Sequence, residues 1–166
     1  MMNLRDALLE QEGQILEAWL EIFFRKYSPE SADFFFQNKD RFENPVGYII
    51  SSQAKAILHE LLNECDAARL KEYFTQIIKV QAIQSVLPSQ ALGFIFDLKI
   101  IVRNLFAERI RENNFFSELF LLDCRIDQLA QLAFDCFMET REKIFHIKLK
   151  ESRDYSFNLI KNINAE

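Results

Sequence analysis

Glycine and proline are scarce in this sequence, since each occurs only 3 times in 166 residues. A β-sandwich or β-barrel needs many turns, and turns rely on these two residues, so the scarcity favours helices joined by few breaks. Long apolar stretches are missing as well, because no run approaches the roughly 18 residues that a membrane-spanning helix needs. The N-terminus has early acidic residues and lacks the apolar core of a signal peptide. We therefore expect an all-α, cytoplasmic protein that does not insert into a membrane.

A surplus of positive charge is also missing. The net charge is −5, and the only basic cluster, within residues 141–153, has acidic residues interleaved. Proteins that bind nucleic acids or anionic membranes usually carry a strongly basic face. The charge pattern therefore predicts that neither nucleic acid nor an anionic membrane is a partner.

Side chains that commonly carry catalysis or bind metals are few. The 3 cysteines form no CxxC pair, and the 2 histidines, His59 and His146, lack the Glu-x-x-His spacing of di-iron helix bundles. No glycine-rich phosphate loop occurs, because the glycines are isolated. The spacing leaves open a Cys–His pair formed across the fold, although no catalytic signature surrounds either residue type. We predict no catalytic residue, no metal site and no cofactor, and we expect the cysteines to be reduced, buried thiols.

What is present is typical of one folded domain. Hydrophobic residues make up 49% of the chain, 17 residues are phenylalanine, and the length suffices for a sizeable core. Apolar residues recur at intervals of three and four, which predicts amphipathic helices. The segments with this pattern are residues 3–26, 45–63, 67–85, 88–112 and about 117–162. We predict a single all-α domain, residues 1–166, of five to six helices.

Two signals support these helix boundaries. Asn44 can cap the free amide groups of a helix whose first residue is Pro45. Residues 79–106 form the most apolar long segment and are expected at the centre of the core, with Pro88 at the corner between two helices.

The order of the helices suggests a globin-like arrangement. A haem globin needs a proximal histidine on the helix that precedes the Pro88 corner. Residues 67–85 contain no histidine, and Gln81 and Gln84 do not ligate haem iron. We therefore predict a globin-like fold without haem.

The last predicted helix is unusually long. Neither glycine nor proline interrupts it from about residue 117 to about residue 162, whereas an average globular helix has three or four turns. We expect its last turns to project beyond the domain or to pair with a second copy of the chain. The predicted seam between two copies consists of the residues that keep the four-and-three spacing: Ile126, Leu129, Ala133, Thr140 and Ile144.

Short motifs of helix caps and core positions occur from residue 44 onward. They are NPVGY at 44–48, QAIQ at 81–84, PSQA at 88–91, FIFDLK at 94–99 and FDCFMETREK at 134–143. These motifs resemble the N-terminal domain of RsbRD-type proteins, the RsbT co-antagonists of bacterial stressosome signalling. The positions that we assign to the resemblance are Asn44, Pro45, Gln84, Pro88, Ser89, Ala91, Asp97 and Lys99.

The resemblance implies a sensory or regulatory input domain, similar to non-haem globin domains that dimerise and pass a signal through the terminal helix. Family members with a stressosome role carry a phosphorylated STAS domain, and we expect this chain to be a free-standing version without it. We predict a non-enzymatic regulatory domain of the stress response that acts as a homodimer and through contact with an unidentified protein partner. The alternative is a sensor that binds a small ligand or lipid in a pocket of the apolar core beneath residues 79–106.

Overall fold

A computed structural model describes residues 3–27, 30, 32–38, 40–82 and 86–163 of the chain. Within these ranges the chain is helical almost throughout and has no β-strand, which confirms the all-α prediction. The helices are α1 (Leu4–Glu10), α2 (Glu12–Tyr27), α3 (Ala32–Gln37), α4 (Pro45–Leu62), α5 (Ala67–Ala82), α6 (Pro88–Leu105), α7 (Ala107–Glu112) and α8 (Phe116–Ile163).

Short helices raise the number of described helices above the five to six that the sequence predicted. The first predicted helix is interrupted at Gln11, whose backbone (φ −117°, ψ 21°) leaves the helical region before α2 begins. The same happens at Phe106 (φ −114°, ψ 13°), which separates α6 from the short α7. Neither break involves glycine or proline, so the sequence contained no breaker signal at either position. The short α3 lies in the connector before α4.

The start of α4 is fixed by the cap that the sequence predicted. The Asn44 side-chain oxygen accepts a hydrogen bond from the Gly47 N–H at 2.9 Å, and Pro45 is the first helical residue. The Asn44 amide group also donates to the carbonyl oxygens of Phe35 at 3.1 Å and Asn38 at 2.7 Å. One buried side chain therefore ties α3 and its connector to the first turn of α4.

Helix α6 packs against both α2 and α8. The indole N–H of Trp19 on α2 donates to the Phe94 carbonyl oxygen at 2.7 Å, and the two rings stack with centroids 5.5 Å apart. Further α6 side chains are buried in the core: Ala91, Ile95, Leu98 and Val102. These residues confirm that this apolar segment contributes to the core, but Phe96 and Ile100 on its other side are exposed.

Helix α8 is a single helix of 48 residues, which corresponds to a length of roughly 72 Å. Up to Thr140 its inner side packs on α5 and α6. Every side chain of residues 141–157 is exposed except the half-buried Ile144, and we call residues 141–157 the projecting segment. The structure thus confirms the long C-terminal helix, while the globin-like arrangement stays a prediction.

Candidate functional site

The outer surface of α6 and α8 contains an open groove of about 960 Å³. The buried side chains of Leu92 and Ala130 lie at its floor, and the rings of Phe96 and Phe134 rise on its sides with nearly half of their surface exposed. The polar groups that line the groove come from Ser89, Asp127, Gln131 and Asp135. A concave apolar surface with few polar groups is typical of a site that binds a partner or a ligand.

Gly93 lies in the middle of α6 and lines the groove. A Cβ atom added at this position would meet no atom within 4 Å, so no packing inside the protomer requires a glycine there. Glycine in a helix interior costs about 0.5–1 kcal/mol relative to alanine. The missing side chain leaves the groove open, and it allows another chain to approach the α6 backbone closely.

A row of exposed apolar side chains continues the α8 side of the groove toward the C-terminus. Phe134, Met138, Phe145 and Leu149 are spaced by four, seven and four residues, which places them on one face of the helix, and we call them the outer stripe. Between 37% and 62% of the surface of each residue is exposed. A contiguous exposed apolar surface of this kind marks an interaction site more often than isolated exposed residues do.

Ion pairs join α6 and α8, the two helices that form the groove. The Lys99 ammonium group of α6 donates to the Asp127 carboxylate of α8 at 2.6 Å, and Arg103 pairs with Asp123 one turn further along. On the far side of α6, both carboxylate oxygens of the buried Asp97 accept hydrogen bonds from Lys26 of α2, at 2.7 and 2.6 Å. Asp97 and Lys99, two of the predicted signature residues, therefore hold α2, α6 and α8 in register.

The remaining signature residues have structural positions as well. Pro88 is the first residue of α6, Ser89 lines the groove, and Ala91 is fully buried. Asn44 and Pro45 start α4 and do not line the groove. Gln84 lies outside the described residues.

The predicted seam residues lie on the inner side of α8. Ile126, Leu129 and Ala133 are fully buried in the core of the protomer, and Thr140 is buried with its hydroxyl group donating to the Cys136 carbonyl oxygen at 2.8 Å. Only Ile144 is partly accessible. The four-and-three spacing therefore identified the face of α8 that packs on its own chain. A seam between two copies, which stays a prediction, would have to use the opposite face of the helix.

Two of the three thiols lie where burial lowers their reactivity. Burial raises the pKa of Cys65 and of Cys136, so both stay protonated over a wider pH range than an exposed thiol. All three cysteines are free thiols, but only Cys136 is buried and the other two are half-buried, so the prediction of buried thiols holds for Cys136 alone. In the part of the chain that the structure describes, no group of three or more His, Cys, Asp or Glu side chains could hold a metal ion.

The alternative drawn from the sequence places a pocket in the apolar core beneath residues 79–106, whereas the groove lies on the outer surface of α6 and α8. The positions of Phe94 and Phe96 contained a signal for that outer surface. Phe94 and Phe96 are two positions apart on α6, so they cannot both face the same side of a helix. Phe94 is buried and Phe96 is exposed at the groove.

None of the described helices combines the length and the apolar character needed to cross a bilayer.

Residues 13–150 match the family model described as the RsbT co-antagonist protein rsbRD N-terminal domain. The matched span begins in α2 and extends into the projecting segment, so it includes both walls of the groove and the whole outer stripe. No curated protein and no solved structure matches the chain.

Proposed function

Because the chain belongs to the family of the RsbT co-antagonist protein rsbRD N-terminal domain, we propose that it is a non-enzymatic, cytoplasmic regulatory domain of stress signalling. It acts through contact with protein chains, one of them a second copy of itself. The observation that carries this proposal is the outer stripe, whose four large apolar side chains are exposed on a helix that extends beyond the core.

The outer stripe supports association because water-exposed apolar surface is removed from solvent when two chains pair. A fully buried Phe, Leu or Met side chain contributes about 1.5–3 kcal/mol relative to an exposed one. A two-fold dimer uses the same patch on both copies, so each residue of the stripe is buried once on each copy. Phe145 and Leu149 lie in the projecting segment, where the protomer itself offers no core to cover them.

Sedimentation equilibrium over a wide range of protein concentration tests the homodimer. We expect a mass twice that of the 19.7 kDa chain. Phe145→Glu places a charge in the outer stripe and is expected to shift the equilibrium to the monomer. Ile147→Glu is the matched control, because Ile147 is equally exposed but lies on the opposite side of the same helical turn. A monomer mass for the unaltered protein at the highest concentration would contradict the homodimer.

The volume and apolar lining of the groove favour a second candidate function, a sensor that binds a small apolar ligand or lipid. A groove of about 960 Å³ lies within the usual size of ligand sites. Native mass spectrometry of the purified protein tests it, since a bound acyl chain or similar molecule would add a defined mass. Gly93→Leu is expected to abolish the added mass by filling the groove. An equal added mass in both proteins, or no added mass in the unaltered protein, would contradict the ligand.

A further inference from the structure

The groove and the C-terminal part of the outer stripe are complementary in shape and lie on the same face of α8. The groove is concave and extends over residues 127–135 of α8. The projecting segment is a convex, exposed helix that carries Phe145 and Leu149 on that face. The centres of the two surfaces, near residues 131 and 145, are roughly 21 Å apart along the helix axis. One protomer therefore cannot place its own straight helix in its own groove, whereas a second copy can.

The two surfaces also differ in charge. The charged residues that line the groove are Asp127 and Asp135, both acidic, whereas residues 141–157 contain 5 basic and 3 acidic residues. Asp135 at the edge of the groove and Arg141 at the start of the projecting segment have no ion-pair partner among the described residues. The acidic groove of one copy and the basic projecting segment of another therefore attract each other.

We propose that two copies associate reciprocally and antiparallel, so that the projecting segment of each α8 lies in the groove of the other copy. This arrangement rests on the homodimer proposed above. The two-fold axis passes near Met138, and Phe145 of one copy lies opposite Gln131 of the other, above Gly93 and between the rings of Phe96 and Phe134. The bare backbone at Gly93 gives the incoming ring the space it needs.

A parallel pairing of the two α8 helices agrees less well with the open groove and with the charge of the two surfaces. It would place each basic projecting segment against an identical basic segment, with Glu142 beside Glu142. It would also align the two α8 dipoles, whereas an antiparallel pair brings opposite helix ends together. The groove would remain empty, because the projecting segments would contact only each other.

Site-specific photocrosslinking of the full chain distinguishes the two arrangements. Phe145 is replaced by p-benzoylphenylalanine, which keeps the aromatic ring, and the products are mapped by mass spectrometry. We expect a crosslinked dimer in which position 145 is joined to residues 88–96 or 127–135 of the second copy. Crosslinks to residues 142–149 of the second copy, or a dimer mass without crosslinks to the groove, would overturn the antiparallel arrangement and leave the homodimer intact. A monomer mass would contradict the homodimer itself.

A pair of glycine variants tests whether the groove is the docking surface. Gly93→Leu fills the groove, while Gly13→Leu adds the same side chain on α2, where a Cβ atom also has open space. We expect Gly93→Leu to raise the dimer dissociation constant at least about tenfold and Gly13→Leu to leave it unchanged. Circular dichroism of both variants confirms that they fold. Unchanged dimerisation of a folded Gly93→Leu protein, with or without loss of a bound small molecule, would overturn the proposal.

Discussion

The two halves of α8 belong to one continuous helix but differ in what surrounds them. From Leu122 to Thr140 the inner side of the helix is buried against α5 and α6. In the projecting segment, Phe145, Ile147 and Leu149 stay exposed although they are as apolar as the buried residues. Most of the stability of a protein helix comes from packing of its apolar face. The protomer therefore stabilises the first half by packing, whereas the second half has no such packing within the protomer.

The largest expected difference between the halves concerns two phenylalanines. Phe137 is fully buried, so Phe137→Ala should lower the free energy of unfolding by about 3–5 kcal/mol at every protein concentration. Phe145→Ala should change the stability of the isolated protomer by less than about 0.5 kcal/mol, since its ring is exposed there. Urea denaturation at several protein concentrations measures both. Equal losses for the two variants at high dilution would show that the projecting segment is packed inside the protomer.

Hydrogen exchange compares the two halves of α8 through the exchange rate of each backbone amide. In the dimer we expect slow exchange along all of α8 up to the end of the projecting segment. In Gly93→Leu, exchange at residues 141–157 should accelerate by at least about tenfold, because an unpacked helix end opens locally, while residues 122–140 stay protected. Gly13→Leu should behave as the unaltered protein. Fast exchange of residues 141–157 in all three proteins would mean that no second chain covers them.

Alanine at Gly93 or Gly13 should have a smaller effect on stability, and one of opposite sign to that of Phe137→Ala. Gly93→Ala should raise the free energy of unfolding of the protomer by about 0.5–1 kcal/mol, because alanine favours the helix interior and meets no atom. Gly13→Ala should raise it by less, because Gly13 lies in the first turn of α2. Only Gly93→Ala should weaken the dimer. Thermal unfolding and sedimentation of both variants provide the comparison. A protomer destabilised by Gly93→Ala would show that the space above Gly93 is already occupied within the chain.

The smallest effect concerns the boundary between the halves, where Glu139 joins α8 to α5. The Lys71 ammonium group donates to Glu139 at 2.7 Å, and this hydrogen bond holds the pKa of the Glu139 carboxyl below its ordinary value of 4.5. A carboxyl group with a lowered pKa stabilises the fold above its unfolded pKa and loses that contribution as the pH falls through the folded pKa.

Glu139→Gln should therefore lose less stability than the unaltered protein when the pH falls below about 4.5. The difference should be small, because both partners of this bridge are solvent-exposed. Glu142→Gln serves as the control and should keep the full acid dependence. Stability measured by denaturation from neutral to acid pH checks the sign, and a steeper acid loss in Glu139→Gln would contradict it.

The sequence predicted the parts of the fold that depend on local chemistry. Asn44 and Pro45 gave the start of α4 because a cap and a first-turn proline act within four residues. The breaks at Gln11 and Phe106 could not be predicted, since they follow from the packing of whole helices and involve no breaker residue. The all-α class and the long last helix needed only composition and spacing.

The candidate site was harder to predict, because it depends on which face of each helix is left uncovered. The spacing of Ile126, Leu129 and Ala133 identified an apolar face of α8 but could not distinguish packing within one chain from packing between two. The groove depends on α6 lying beside α8, and on Gly93 opening the space between them. That arrangement is tertiary, so only three-dimensional coordinates could reveal it.

The uninterrupted backbone of α8 has a mechanical consequence. Since the packed part and the projecting part belong to one continuous helix, a rigid α8 would behave as a lever that pivots at the core near Thr140. The 23 residues beyond that point span roughly 34 Å, so a tilt of about 10° at the core would move the tip by on the order of 6 Å. A small rearrangement around α5 or α6 would therefore be amplified at the far end of the helix, which is the part that contacts the second copy in the proposed dimer.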